Sequence, residues 1–228
     1  MVKTACLVHD LGNPPFGHYG EDVIGEWFKN WFEENKDCEA IKELTLQEKN
    51  DFIYFEGNAQ GIRILTELQR LNDDYGANIT FGTLATLLKY PWLSNDEKVT
   101  KKESEGKFGS FTSEEEIFNR IIDETGIGPH RHPATYILEA ADDIAYLPTD
   151  IEDGVKKGSL AWKDIEDSPI YKELENYSSE AFKKFKSQVE KLNYDRVPDR
   201  DLTKLKNFKI TIQGIFIEEV VETFKENY

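Results

Sequence analysis

Basic residues are scarce in this sequence: 28 Lys and Arg stand against 44 Asp and Glu, a net charge of −16. A field of that sign opposes non-specific attraction to nucleic acid or anionic lipid, so an anionic ligand has to be held by local cations or by a metal ion. Cysteine is scarcer still. Cys6 and Cys38 lie in dissimilar contexts, which argues against both a disulfide framework and a CxxC metal site. Long apolar runs are missing too. The stretch from Ile210 to Val221 is broken by Gln213, Gly214, Glu218 and Glu219, well short of the run of about twenty apolar residues that spans a bilayer. The opening residues lack the basic stretch, apolar core and cleavage site of a secretory signal. The expectation is a cytoplasmic protein with no membrane partner.

What the chain does have is 39% hydrophobic and 12% aromatic residues over 228 positions, enough to bury a substantial core. With no repeat and no shift of composition, residues 1–228 are expected to form one lobe. Apolar residues recur at helical spacing, so the predicted fold is all-α, a helical bundle. Val23, Ile24, Trp27, Phe28, Trp31 and Phe32 mark one face of a helix over about Glu21 to Glu34. Ile62, Leu65, Leu68 and Leu71 mark a second, and Leu84, Leu87 and Leu88 a third that ends before Tyr90-Pro91.

Ser113 and Glu116 have capping-box spacing ahead of Ile117, Ile121 and Ile122. Pro133 stands at the first turn of a long helix running to about Gly154, and two more helices are expected over Ser178 to Leu192 and Leu205 to Tyr228. The polar segments 93–111 and 194–201 read as exposed excursions.

The first chemistry is His9-Asp10, closing the apolar run Ala5-Cys6-Leu7-Val8. An imidazole beside a carboxylate suits a divalent transition metal. A glycine and proline turn follows and brings His18 and Glu21 back towards the same point. For these two, a site role and a solvated loop with a helix-capping acid both fit the residues. A second feature lies in Glu139 to Asp150, where Asp142, Tyr146 and Asp150 share one helical stripe and each stands about 6 Å further along the axis. That stripe reads either as a site wall or as a solvent-facing edge. Pro148 inside it should kink the helix or free a carbonyl near Ile144. His130 and His132 read as part of a loop or helix start.

The segments Ala5 to Glu21 and His132 to Asp153, with Phe55-Glu56-Gly57-Asn58-Ala59-Gln60 and Leu87-Leu88-Lys89-Tyr90-Pro91-Trp92 in order between them, resemble blocks of the bacterial deoxyguanosine triphosphate triphosphohydrolases (dGTPases). These are a branch of the HD superfamily that includes the vertebrate dNTP triphosphohydrolase. The likeness covers residues 5–153, and the helices of 160–228 add little to it. It implies an HD-domain helical bundle that hydrolyses dGTP or another dNTP to deoxynucleoside and inorganic triphosphate with a divalent ion, Mg2+, Mn2+ or an iron-like metal.

By the same resemblance His9, Asp10 and Asp142 are the metal ligands, and His18 and Glu21 the catalytic pair. Asn58, Lys89, Tyr90 and Lys107 are placed at the triphosphate, and Tyr146 and Asp150 at the deoxyribose. Homo-oligomers are implied as well.

The family pattern has one more histidine ligand upstream of the doublet, and its members are longer, so the sequence is expected to be truncated at both ends. Two other functions remain open at this point: an HD phosphohydrolase acting on another nucleotide, and a catalytically silent nucleotide-binding module that lacks the upstream ligand.

Overall fold

In the computed structural model, residues 1–70, 75–101, 106–177, 180–191 and 199–227 are described. Every regular element among them is helical, and the extended pairing they show is one isolated parallel bridge, Leu93 with Ser110. The all-α fold predicted from apolar spacing is therefore the fold observed. No helix among the described residues is long and apolar enough to cross a membrane. The chain groups into two compact units, Met1–Leu138 and Glu139–Tyr228. The boundary falls inside a helix, so no linker composition marks it.

The first unit holds α1 (Val2–Val8), α2 (Gly17–Glu34), α3 (Glu39–Glu43), α4 (Leu46–Ile53), α5 (Gly57–Arg63), α6 (Phe81–Leu87), α7 (Glu97–Thr100) and α8 (Glu115–Thr125). A π-helical turn, Ile64–Leu68, continues α5, and Leu71 lies outside the described residues. The core joins Ala5 of α1, Ile62 and Leu65, Leu84 and Leu88 at α6, Phe118 and Ile121 of α8, and Leu138. α6 ends at Leu87, ahead of Tyr90-Pro91 as the proline demands.

α2 differs from its apolar pattern. It starts at Gly17, and its buried residues are Glu21, Gly25 and Phe32, while Val23, Trp27 and Trp31 are exposed. Gly25 explains this: a Cβ there would lie 2.4 Å from the carbonyl oxygen of Ile53, so α2 meets α4 through a glycine. Trp27 and Trp31 stack on one another at 6.0 Å instead of entering the core.

Two local expectations are corrected. The Ser113–Glu116 capping box does not form: a 3-10 turn, Thr112–Glu114, leads into α8, and the Ser113 hydroxyl donates to the buried Glu114 carboxylate at 2.9 Å. The 93–111 excursion, as far as its residues are described, is anchored rather than projecting. Ser94, Val99, Phe108, Ser110 and Phe111 are buried, and the Asp51 carboxylate accepts from Ser94 Oγ at 2.5 Å and from Thr112 N–H at 2.7 Å. The polar composition that read as exposed supplies the hydrogen bonds that hold the segment in place. Residues 102–105 lie outside the described set.

α9 (Pro133–Lys156) opens on Pro133 as expected, and His132 Nδ1 accepts from Ala134 N–H at 3.1 Å, which gives that histidine its helix-start role. The second unit adds α10 (Trp162–Glu166), α11 (Pro169–Asn176), α12 (Glu180–Lys191) and α13 (Arg200–Asn227). Ser178, Leu192, residues 194–198 and Tyr228 lie outside the described residues, and α13 begins at Arg200, inside the expected excursion. An aromatic core gathers Trp162, Tyr171, Phe182, Phe185 and Phe208, and burial pushes the Tyr171 phenol up to about 12.

Pro148 removes a helical N–H, and the Ile144 carbonyl so released accepts from Gln213 Nε2 at 3.3 Å. One turn on, Lys156 at 2.7 Å and Lys209 at 3.0 Å bracket Glu152 and hold its carboxyl down to about 2. A depressed carboxyl stabilises the fold above its ordinary pKa of 4.5 and loses that contribution as pH falls through about 2. Lys209→Met is therefore expected to raise the midpoint of acid unfolding, followed by circular dichroism. An unchanged midpoint would show that the bracket contributes nothing to stability.

Candidate active site

His9 caps the C-terminus of α1. Its Nδ1–H donates to the Cys6 carbonyl at 2.9 Å, and Nε2 lies 3.4 Å from Asp10 Oδ2. The other oxygen of Asp10 accepts from Asn13 Nδ2 at 2.9 Å. Both side chains of the doublet are thus oriented by groups behind them, the arrangement typical of metal-ligating imidazole and carboxylate. The loop that carries them presses against the start of α5. A Cβ at Gly12 would stand 1.9 Å from the Gly57 carbonyl oxygen and 2.3 Å from Gly61 N, so the contact is backbone on backbone.

The turn ends at Phe16, whose φ of 70° is a left-handed conformation that a bulky side chain adopts only under constraint. Beyond it α2 presents His18 outward and Glu21 inward. Glu21 is buried; its Oε2 accepts from His18 Nδ1–H at 2.8 Å and its Oε1 from Gly57 N–H at 2.8 Å. A fixed carboxylate therefore holds the imidazole so that Nε2 faces away from it. His18 and Glu21 line a cavity of about 400 Å3 with Asp22, Tyr54, Glu56 and Lys107. The structure thus brings His18, Glu21 and Lys107 to one place.

Glu56 was not anticipated. It is 2% exposed, and its Oε1 accepts from Asn58 N–H at 3.1 Å and from Asn58 Nδ2 at 2.7 Å, so Asn58 is engaged with its neighbour. Burial raises the carboxyl of Glu56, the Glu21 charge adds to the rise, and the Asn58 bonds and Lys107 oppose it. The only signal in the sequence is an acid in the N-cap position before Gly57-Asn58. A raised carboxyl gives stability that is present below its ordinary pKa of 4.5 and is lost as pH rises through the folded value. Glu56→Gln, which keeps an acceptor for Asn58, is expected to raise the melting temperature at neutral pH and leave it unchanged in acid. A lower melting temperature at neutral pH would contradict this.

The cationic side of the unit is organised around Tyr90. Lys107 Nζ lies 6.0 Å and the Arg131 guanidinium 5.6 Å from its ring centre, within cation–π range. Arg131 Nε donates to the Lys89 carbonyl at 2.7 Å, and Trp92 Nε1 donates to the Lys107 carbonyl at 2.8 Å. No role for Arg131 is legible in the sequence, since the Tyr90 ring gives it its place. Asp142, Tyr146 and Asp150 belong to the second unit; Asp142 is half-buried there and the other two are exposed. Among the described residues no group of three or more His, Cys, Asp or Glu side chains is gathered to hold a metal ion. The doublet's donor chemistry and its oriented backing fit a divalent ion as two ligands of a larger set.

The described residues are all-helical and carry a backed His–Asp doublet followed by a His–Glu pair. No protein-family model matches the chain. A deoxyguanosinetriphosphate triphosphohydrolase-like protein of Listeria monocytogenes is 41% identical over the whole of this chain and 49% of its own length. A probable deoxyguanosinetriphosphate triphosphohydrolase of Pseudomonas aeruginosa is 36% identical over 90% of this chain and 41% of its own length, and the deoxyguanosinetriphosphate triphosphohydrolase of Salmonella paratyphi A is 37% identical over 69% and 35%. The chain is homologous over its full length to the deoxyguanosinetriphosphate triphosphohydrolase-like proteins, and it spans about half the length of the curated relatives it matches.

Proposed function

We propose that this chain carries part or all of the catalytic site of a metal-dependent dNTP triphosphohydrolase, with dGTP as the first substrate to try. The observation that carries the reading is the His18–Glu21–Gly57 relay at a cavity shared with Lys107, on the same loop system as the His9–Asp10 doublet. The chain's likeness to a deoxyguanosinetriphosphate triphosphohydrolase and to a probable one supports it.

His9 and Asp10 are assigned as metal ligands on their donor chemistry, and Asp142 on sequence resemblance alone. A divalent ion held there would supply Lewis-acid polarisation of the α-phosphoryl group. The residues of the chain do the rest. Lys107, with Lys89 and Tyr90 nearby, offsets the triphosphate charge against a net charge of −16. His18, held by Glu21 through Nδ1–H, acts in its doubly protonated form: Nε2–H passes its proton to the departing 5′ oxygen, and the proton released by the attacking water restores it. Tyr146 and Asp150 are assigned to the deoxyribose, with Tyr146 filling the space that a 2′-hydroxyl needs.

Product analysis by phosphorus NMR tests the reaction class: dGTP with Mn2+ is expected to give inorganic triphosphate, whereas orthophosphate would overturn the assignment. Tyr146→Ala is expected to improve GTP turnover relative to dGTP by roughly tenfold or more, the scale on which a packed pocket discriminates one hydroxyl. A GTP-to-dGTP ratio unmoved by that substitution would remove Tyr146 from the sugar site.

A further inference from the structure

Glu56 sets a carboxylate in the wall of a cavity that the proposed reaction fills with a polyanion. It lines that cavity with Glu21, Asp22 and Lys107, and it is buried. A negative charge placed there opposes the triphosphate, and the steps proposed above do not employ it. Lys107, lining the same cavity, favours its charged form. An acid kept in such a place needs a use, and its hydrogen-bond partners identify one.

Glu56 Oε1 accepts from Asn58 N–H at 3.1 Å and from Asn58 Nδ2 at 2.7 Å. The first bond caps α5. The second decides which way the Asn58 amide is turned. A carboxamide presents a carbonyl oxygen on one side and an NH2 group on the other, and a half-turn of the side chain exchanges them. A carboxylate oxygen accepts and does not donate, so the half-turned amide would set two acceptors against each other. Glu56 therefore keeps the NH2 group on its own side, towards the cavity wall. One of the two hydrogens goes to Oε1, and the other N–H is left to be aimed at a phosphate oxygen.

The backbone between the two residues is itself pinned. Gly57 N–H donates to Glu21 Oε1 at 2.8 Å, and a Cβ at Gly57 would lie 2.6 Å from Asn13 Oδ1 and 2.7 Å from Glu21 Oε1. An Asn58 amide fixed by Glu56 is thereby fixed relative to the His18–Glu21 pair and to the loop of the His9–Asp10 doublet. We infer that Glu56 is a positioning residue for triphosphate binding, which turns the Asn58 amide so that its NH2 group is offered to a phosphate oxygen. The inference rests on the triphosphohydrolase reading above and adds to it a residue that acts through another.

One pair of variants separates an electrostatic role from a positional one. Glu56→Gln and Glu56→Met both remove the charge, and only glutamine keeps an acceptor for Asn58. A purely electrostatic acid predicts tighter triphosphate binding in both. Calorimetric titration of the full chain with inorganic triphosphate in metal-free buffer is expected to show Glu56→Gln binding at least as tightly as the wild type. Glu56→Met should bind at least about tenfold more weakly than Glu56→Gln, the scale of one hydrogen bond to a charged group. Asn58→Ala should weaken binding to a similar extent, and adding Glu56→Met to it should weaken binding no further.

Amide NMR spectra of the wild type give a second readout, which stands even where Glu56→Met fails to fold. The Asn58 side-chain NH2 resonances, assigned by their loss in Asn58→Ala, should move when inorganic triphosphate is added. Resonances that triphosphate leaves in place overturn the inference. So does a methionine variant that binds as tightly as the glutamine variant, or losses in the double variant that multiply. Lys107→Met distinguishes these results from failure of the wider reading. If it weakens triphosphate binding while Glu56→Met does not, only the role of Glu56 falls. If the wild type binds no triphosphate, or Lys107→Met and Asn58→Ala both bind it unchanged, the triphosphate assignment falls as a whole.

Discussion

Replacing His18 by alanine is expected to slow release of inorganic triphosphate from dGTP by roughly 10²- to 10⁴-fold, the usual contribution of a positioned general acid or base. The ring stands exposed on α2 and belongs to no core cluster, so its removal should leave the melting temperature nearly unchanged. Glu21→Gln is a different kind of change. Glu21 is buried and accepts from both His18 and Gly57, and an amide can satisfy one of those donors only by presenting its NH2 to the other. Activity and stability should both fall. Near-normal turnover by His18→Ala, with the metal still bound, would remove His18 from the proton path and leave the relay a purely structural device.

The largest expected effect on stability is that of Gly12→Ala. A methyl group at this position would lie 1.9 Å from one backbone oxygen and 2.3 Å from a backbone nitrogen, neither of which can swing aside as a flexible side chain could. The loop carrying His9, Asp10 and Asn13 must then lift from α5, at a cost on the order of 3 kcal/mol or more. Gly126 supplies the contrast. It has a φ of 66° and open space around its Cβ, so alanine there meets only the left-handed backbone penalty, about 1 kcal/mol. Urea titration of the two variants is expected to separate them clearly. Equal midpoints would mean that the doublet loop is not seated as tightly as the glycine contacts require.

The order of helices was readable in the sequence wherever apolar spacing and punctuation agreed. α6 ending before Tyr90-Pro91, α9 opening at Pro133 and the Ile144 carbonyl released from the helix to accept from Gln213 each follow from what proline does to a backbone. α2 was misjudged at its buried face because its closest contact is made by a glycine and an acid, which no hydrophobic pattern reveals. The anchoring of 93–111 was missed for a related reason. Its partners, Asn50 and Asp51, lie more than forty positions away, and only the fold brings them to Ser94.

At the candidate site the sequence paired His18 with Glu21 and His9 with Asp10, because those contacts are local. Glu56 and Arg131 escaped notice, since burial gives the first its character and the Tyr90 ring gives the second its place.

The account turns on whether His9 and Asp10, with Asp142, bind one divalent ion. Titrating the chain with Mn2+ and following the loss of the free-ion electron paramagnetic resonance signal measures this without requiring turnover. One bound ion is expected, with affinity falling at least about tenfold in each of His9→Ala, Asp10→Ala and Asp142→Ala. Binding left unchanged by substitution of the doublet would contradict the metal assignment and, with it, the proposed hydrolase.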